Sequence, residues 1–319
     1  MLGIKDLKPK ITITQSTVEC PVKGCSREVE RQRRSFRQEK RFMCPDHKIY
    51  ISPSTFEYEN EKDNLLWQNK ADLDLLKEVK TVKRESRIAR DNSEDSLTWN
   101  IFRYLENTNQ LANLLSNIGQ MNYSYADLIY WSYSGKAKGA WPELNSAREE
   151  FGEQIKRSSE PDLIAVTNKA LFFIEAKLTA TNNTSPSINN NRKKYLSGGN
   201  EWHKEVFRSD FDTVAIQARK YELFRFWLLG SWLAKEMDRN FYLLNIVLSE
   251  RDKDIEAQFI PHIIQVAGQR QFKRISWEEL YRYITDNVPD NQDKEKMVAY
   301  FQNKIIGYKG GDLQKAFSI

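Results

Sequence analysis

Residues 160–178 read EPDLIAVTNKALFFIEAKL, and the fold follows from how this stretch is divided. Two apolar runs, Leu163 to Val166 and Leu171 to Ile174, flank Asn168-Lys169. Asn tolerates positive φ, so the pattern predicts two antiparallel strands joined by a tight turn. The second run is continuously apolar and is expected to be buried. Charged residues stand at its end: Asp162 opens the first strand, and Glu175 and Lys177 close the second. Residues i and i+2 of a strand share a face, so Glu175 and Lys177 point together while Ala176 points away. Acidic groups at the end of buried strands are costly unless paired or bound to a cation. Mg²⁺ or Mn²⁺ prefers oxygen ligands, which Asp162, Glu175 and the Ala176 carbonyl supply. Such an ion activates water and stabilises charge on a phosphate, with Lys177 placed to assist.

Outward from this hairpin, Asn92 or Ser93 caps a helix with apolar residues at Leu97, Ile101, Leu105, Leu111, Leu114 and Leu115. A broken aromatic stretch covers 123–142. Residues 181–201 read as a long polar loop containing Arg192, Lys193 and Lys194. A helix is expected over 212–237, strands near 241–248 and 258–267, and a last helix from Ser276, where Ser276 and Glu279 have capping-box spacing. This order predicts an α/β layout, a mixed sheet flanked by helices. His203 is a polar segment residue with a conceivable general-acid role, and His262 reads as structural within an apolar strand.

Near the start, CPVKGC and CPDH place Cys20, Cys25, Cys44 and His47 in a C-x4-C-x18-C-x2-H pattern that holds all three cysteines of the chain. Two short pairs on tight turns suit a tetrahedral zinc, and the lack of a neighbouring base makes it structural. A small zinc-ribbon-like unit is the expectation. The competing reading is three buried free thiols and a surface histidine. Between the pairs lie Arg31, Arg33, Arg34 and Arg37, suited to phosphate contacts or else a solvated face. Residues 1–50 hold 12 Lys and Arg against 6 Asp and Glu, while the whole chain carries only +5, so the excess is local. Concentrated positive charge suggests a polyanionic partner.

The linear division is a zinc-binding basic domain at 1–60, a helical connector at 61–92 with basic residues including Lys83 and Arg84, and a catalytic domain at 93–319. The ordinary composition, 40% hydrophobic and 29% charged, excludes disorder and fibres. The longest apolar run, Phe226 to Ala234, is about half a membrane span and is interrupted by Gly230 and Ser231. It reads as a buried helix, and no membrane association is expected. The first ten residues lack the apolar region of a signal peptide, so a cytoplasmic location is expected.

Pro161-Asp162, twelve residues, then Glu175-Ala176-Lys177 resembles the PD-(D/E)XK superfamily, over roughly residues 90–250. The resemblance implies a restriction-endonuclease-like fold and a metal-dependent nuclease. It implies metal binding by Asp162 and Glu175, and a catalytic role for Lys177. It adds an upstream helical glutamate, best matched by Glu94 with Asp95 as the alternative, and a Gln-x3-Tyr pair matched by Gln217 and Tyr221. The function so implied is DNA endonuclease in restriction, defence or mobile-element processing, with a homodimer or partner protein. DNA is favoured over RNA by family weight alone. A non-catalytic nucleic-acid-binding protein, or a subunit of a larger nucleoprotein assembly, remains the alternative.

Overall fold

The computed structural model describes residues 6–33, 35–83, 85–154, 160–186 and 192–319. Short strands come first: β1 (Thr17–Glu19), β2 (Glu28–Glu30), β3 (Met43–Cys44), β4 (Ile49–Ile51) and β5 (Phe56–Tyr58). Helices α1 (Lys70–Val79), α2 (Glu94–Asn107) and α3 (Leu111–Gly119) follow. Next are β6 (Ala126–Tyr130), β7 (Tyr133–Ser134), β8 (Gly139–Ala140), α4 (Pro142–Glu150), β9 (Leu163–Thr167) and β10 (Ala170–Ala176). Then come α5 (Arg192–Glu201), α6 (His203–Val206), α7 (Tyr221–Glu236), β11 (Asn240–Val247), α8 (Ile255–Phe259) and β12 (Arg270–Ser276). The chain continues through α9 (Trp277–Asn287), α10 (Gln292–Asn303), β13 (Ile305–Lys309) and β14 (Asp312–Lys315). It divides into two compact units. The first is Met1–Leu73, Glu85–Thr108 and Trp277–Ile319; the second is Asp74–Arg84 and Asn109–Ser276.

The second unit is built on a seven-stranded mixed sheet in the order β12-β11-β10-β9-β6-β7-β8. β10 pairs antiparallel with β9 and parallel with β11, and β12 extends the parallel side. Every residue of β10 is buried, because helices cover both faces. On one face Phe173 packs on Phe226 of α7 and on Phe241. On the other, Phe172 stacks on Tyr242 at 4.7 Å, and the Tyr242 hydroxyl donates to the Gly119 carbonyl at the end of α3. Alternate side chains of one strand thus serve two apolar layers. Gly230 is where α7 meets the sheet: a Cβ there would lie 2.3 Å from the Phe241 ring.

In the first unit, β1–β2 and β13–β14 are hairpins and β3–β4–β5 is a three-stranded sheet. They share one apolar cluster that includes Val18, Cys20, Ile49, Phe56, Ile305 and Tyr308. The Ile11 N–H donates to the Gly311 carbonyl and the Leu313 N–H to the Pro9 carbonyl, which seats the C-terminal hairpin on the N-terminal segment. Ser93 caps α2 by accepting the Ser96 N–H.

Several expected elements differ. The strand near 258–267 is replaced by α8 and a 3-10 turn over Ile260–His262. Pro261 has no N–H for a ladder, and Phe259 and Ile263 sink into the core instead. His262 therefore lies in that turn, its Nδ1 2.8 Å from the Ser209 hydroxyl. The real strand, β12, is a sheet edge whose charged sequence RQFKRIS conceals it. The helix expected over 212–237 is a π-helix at Asp212–Gln217, a break, then α7. Arg219, at φ +54°, gives its carbonyl to the Thr184 N–H, while the Thr184 carbonyl takes the Tyr221 N–H, so an incoming segment interrupts the helix. Part of the polar loop at 181–201 is the helical α5, broken at Gly198, Gly199 and Asn200. The aromatic stretch supplies β6, β7 and β8, and two helices replace the one expected between 93 and 115.

Candidate functional site

The β9–β10 turn brings Asp162 and Glu175 to the same end of the sheet, because Leu163 pairs with Ile174. The Asp162 carboxylate is fixed from two sides. Its Oδ2 accepts the Ala176 N–H at 2.8 Å, and its Oδ1 accepts the Trp131 indole N–H at 3.2 Å. Trp131 and Ser132 occupy the turn between β6 and β7 at φ +45° and +71°. The Lys83 ammonium sits 4.0 Å from the Trp131 ring centre.

Glu175 is only 4% exposed. Its Oε1 accepts from the Lys177 ammonium at 2.5 Å, and its Oε2 is buried without a hydrogen-bond partner. Burial holds the Glu175 pKa well above the usual carboxylate value; Lys177 opposes the rise, and the nearby Asp162 and Glu222 charges add to it. Burial alone would lower the Lys177 pKa, but Glu175, Glu222 and Asp162 overcome this and hold it protonated. Glu222, in the first turn of α7, stands 3.3 Å from the same ammonium. One ammonium thus faces three carboxyl groups, and one oxygen of Glu175 is left without a hydrogen-bond partner.

Behind the acidic centre, Asn245 lies level with Glu175 on β11 and donates to its carbonyl at 3.3 Å. Asn182 exchanges hydrogen bonds with Asn245 and donates to Asp252 at 2.7 Å, tying down the chain that leaves β10. Glu222, Trp131, Asn245, Asn182 and Asp252 all escaped the sequence reading. Asn245 carried a signal, an amide inside the apolar run NFYLLNIV; the others depend on tertiary packing.

Glu94 and Asp95 occupy the first turn of α2, in the first unit. Gln217 is exposed at the end of the π-helix, while the Tyr221 hydroxyl is 3.0 Å from that of Tyr195. Arg31 and Arg33 are exposed and donate to the Thr14 and Gln15 carbonyls. Arg37 is 3.6 Å from Glu39. Arg34 and Arg84 lie outside the described residues. Lys193 is exposed, whereas Lys194 is half-buried over the Tyr195 ring, and burial lowers its pKa.

A second cluster stands in the first unit. The ligand atoms of Cys20, Cys25, Cys44 and His47 all lie within 4.8 Å of one another. Gly24, at φ +75°, turns the first pair, and Lys48, at φ +54°, turns the chain back after the second. A tetrahedral ion with metal–sulfur bonds of about 2.3 Å needs S···S edges of about 3.8 Å and slightly shorter S···N edges. Cys25 and Cys44 Sγ are 3.9 Å apart, and His47 Nδ1 is 3.6 Å from Cys20 Sγ and 3.5 Å from Cys44 Sγ. Burial pushes the Cys20 thiol pKa far up. The group could hold a metal ion such as zinc. Among the described residues no other three His, Cys, Asp or Glu side chains are drawn that closely together.

Comparison with protein-family models, curated proteins and solved structures finds no match for this chain. Among the described residues no helix is long and apolar enough to cross a membrane.

Proposed function

We propose that this chain is a divalent-metal-dependent DNA endonuclease of the PD-(D/E)XK type, built on a restriction-endonuclease-like sheet with a structural zinc at Cys20, Cys25, Cys44 and His47. The observation that carries the reading is Glu175: a buried carboxylate with one unpartnered oxygen, beside Asp162 and an ammonium-bearing Lys177. Asp162 and Glu175 would hold Mg²⁺ or Mn²⁺, with the Ala176 carbonyl available as a further oxygen. Such an ion supplies Lewis acidity toward a phosphodiester and acidifies water. Asp162 is kept in orientation by the Ala176 amide and the Trp131 indole. Lys177, steadied by Glu222, presents positive charge where a phosphate would gain negative charge. The exposed arginines 31, 33 and 37 and Lys193 are available for backbone phosphates.

The test is incubation of the purified chain with supercoiled, linear and single-stranded DNA, with Mg²⁺, with Mn²⁺ or with neither. Ion-dependent nicking or linearisation is expected, and its loss in Glu175→Ala and Lys177→Ala. DNA binding without cleavage under every ionic condition would turn the assignment to a non-catalytic nucleic-acid-binding protein.

A further inference from the structure

At the other end of the parallel strands lies a pocket with different chemistry. Asn240 of β11 pairs with Ala170, five residues before Glu175, which is about 17 Å along the strand at about 3.3 Å per residue. Here the end of α7 and the starts of β11 and β12 line an open pocket of about 390 Å³. That volume is at the low end of small-ligand sites. Three cations line it, Lys235, Arg239 and Arg270, against one carboxylate, Asp238.

Arg239 is the informative residue. Its Nε is buried and has no acceptor, and its Nη1 makes only a long contact of 3.5 Å to the Asp238 carbonyl. Among the described residues Arg239 has no carboxylate partner, so an oxyanion in the pocket would be its counter-charge. Arg270 is oriented by the Ile264 and Glu205 carbonyls, both at 2.9 Å, which align it without cancelling its charge. Trp202 forms a wall whose indole N–H is fixed on the Ser231 hydroxyl at 3.0 Å. Lys235 and Arg270 lie 5.1 and 5.9 Å from its ring centre. The nearby acids leave these cations effective. Glu236 meets Lys235 at 3.3 Å with both side chains about half exposed, a weak pair, and Glu205 is exposed.

We propose that this pocket binds the nucleoside monophosphate unit, with the phosphate on Arg239 and Lys235 and the base against Trp202. Paired guanidinium N–H groups match phosphate oxygens, and an indole accepts any base face. The unit can be a free nucleotide or one residue of a nucleic-acid strand. Neither case requires the acidic centre at the far end of the sheet to be catalytic.

Calorimetric titration of the whole chain, without added divalent ion, with AMP, inorganic phosphate and a short single-stranded oligodeoxynucleotide tests this. AMP is expected to bind one per chain. Arg239→Gln is expected to weaken AMP at least tenfold, and Arg239→Lys to restore part of the affinity. Trp202→Phe should weaken AMP several-fold and leave inorganic phosphate within about twofold, because only the base uses the indole. An oligonucleotide bound more tightly than AMP, with the same dependence on Arg239, assigns the unit to a strand; the reverse order assigns a free nucleotide. No heat with millimolar AMP, or equal AMP affinity in a folded Arg239→Gln chain, overturns the proposal.

Discussion

A carboxyl oxygen sealed in a sheet with nothing to accept from is destabilising by about 1–3 kcal/mol, and Glu175 Oε2 is in that position. Burial raises the Glu175 pKa above its ordinary 4.5. The folded chain therefore keeps this proton at pH values where the unfolded chain has lost it. Linkage then fixes the sign: above about 4.5 the Glu175 contribution to stability falls as pH rises, and it levels off past the folded value. Glu175→Gln cannot titrate. In thermal melts from pH 5 upward, the variant is expected to gain on the parent as pH rises, until the folded parent has lost the Glu175 proton. A constant offset between the two curves would contradict the raised pKa. Lys177→Ala is expected to lower cleavage about 10²-fold or more, by analogy with removal of one charge-stabilising donor. Single-turnover rates with saturating ion check this. That Asp162, Glu175 and Lys177 meet at one end of the sheet was legible because strand alternation and one tight turn relate them over a short span. Glu222 was not, since only the docking of α7 brings it to 3.3 Å from Lys177.

At the scale of elements, the β9–β10 turn was readable because its two apolar runs are bounded by residues suited to a turn. β12 was misplaced because an edge strand buries little and its charges mimic a loop. The π-helix before α7 was invisible for another reason: a distant segment at Thr184 imposes the break. Gly230 appeared in the sequence as an interruption, and the structure shows it packed directly on the Phe241 ring. Gly230→Ala gains roughly 1 kcal/mol of helix propensity. It also drives a methyl group into Phe241, whose ring is held by Trp227 and Phe173. Overpacking should win, for a net loss of up to about 2 kcal/mol by denaturant titration. The C-x4-C…C-x2-H pattern was legible because each pair is local and its turn chemistry is written beside it. Purified chain is expected to carry about one zinc by elemental analysis. Chelation or Cys44→Ala should remove at least ~3 kcal/mol of stability, a fall in melting midpoint of about 6–12 °C. A melt indifferent to chelation would exclude a structural ion.

For the whole molecule, the least legible feature is that the first unit is assembled from three separated stretches. Nothing local in residues 304–319 announces that Ile305 and Tyr308 belong to the cluster around Cys20 and Cys44. Backbone bonds from Ile11 to Gly311 and from Leu313 to Pro9 make the association specific. Truncation after Asn303 should therefore loosen the cysteine cluster although every ligand remains. The expected readout is faster zinc transfer to a colorimetric chelator; an unchanged transfer rate would show that the hairpin is only a cover. The same arrangement imposes an order on biosynthesis. A ribosome that has delivered Ser276 has supplied every strand of the seven-stranded sheet, yet the cysteines translated long before still await their final neighbours. In nascent chains stalled at that point the thiols would lack the cover of Ile305 and Tyr308 and be more open to oxidation or to capture of the wrong metal than in the finished fold.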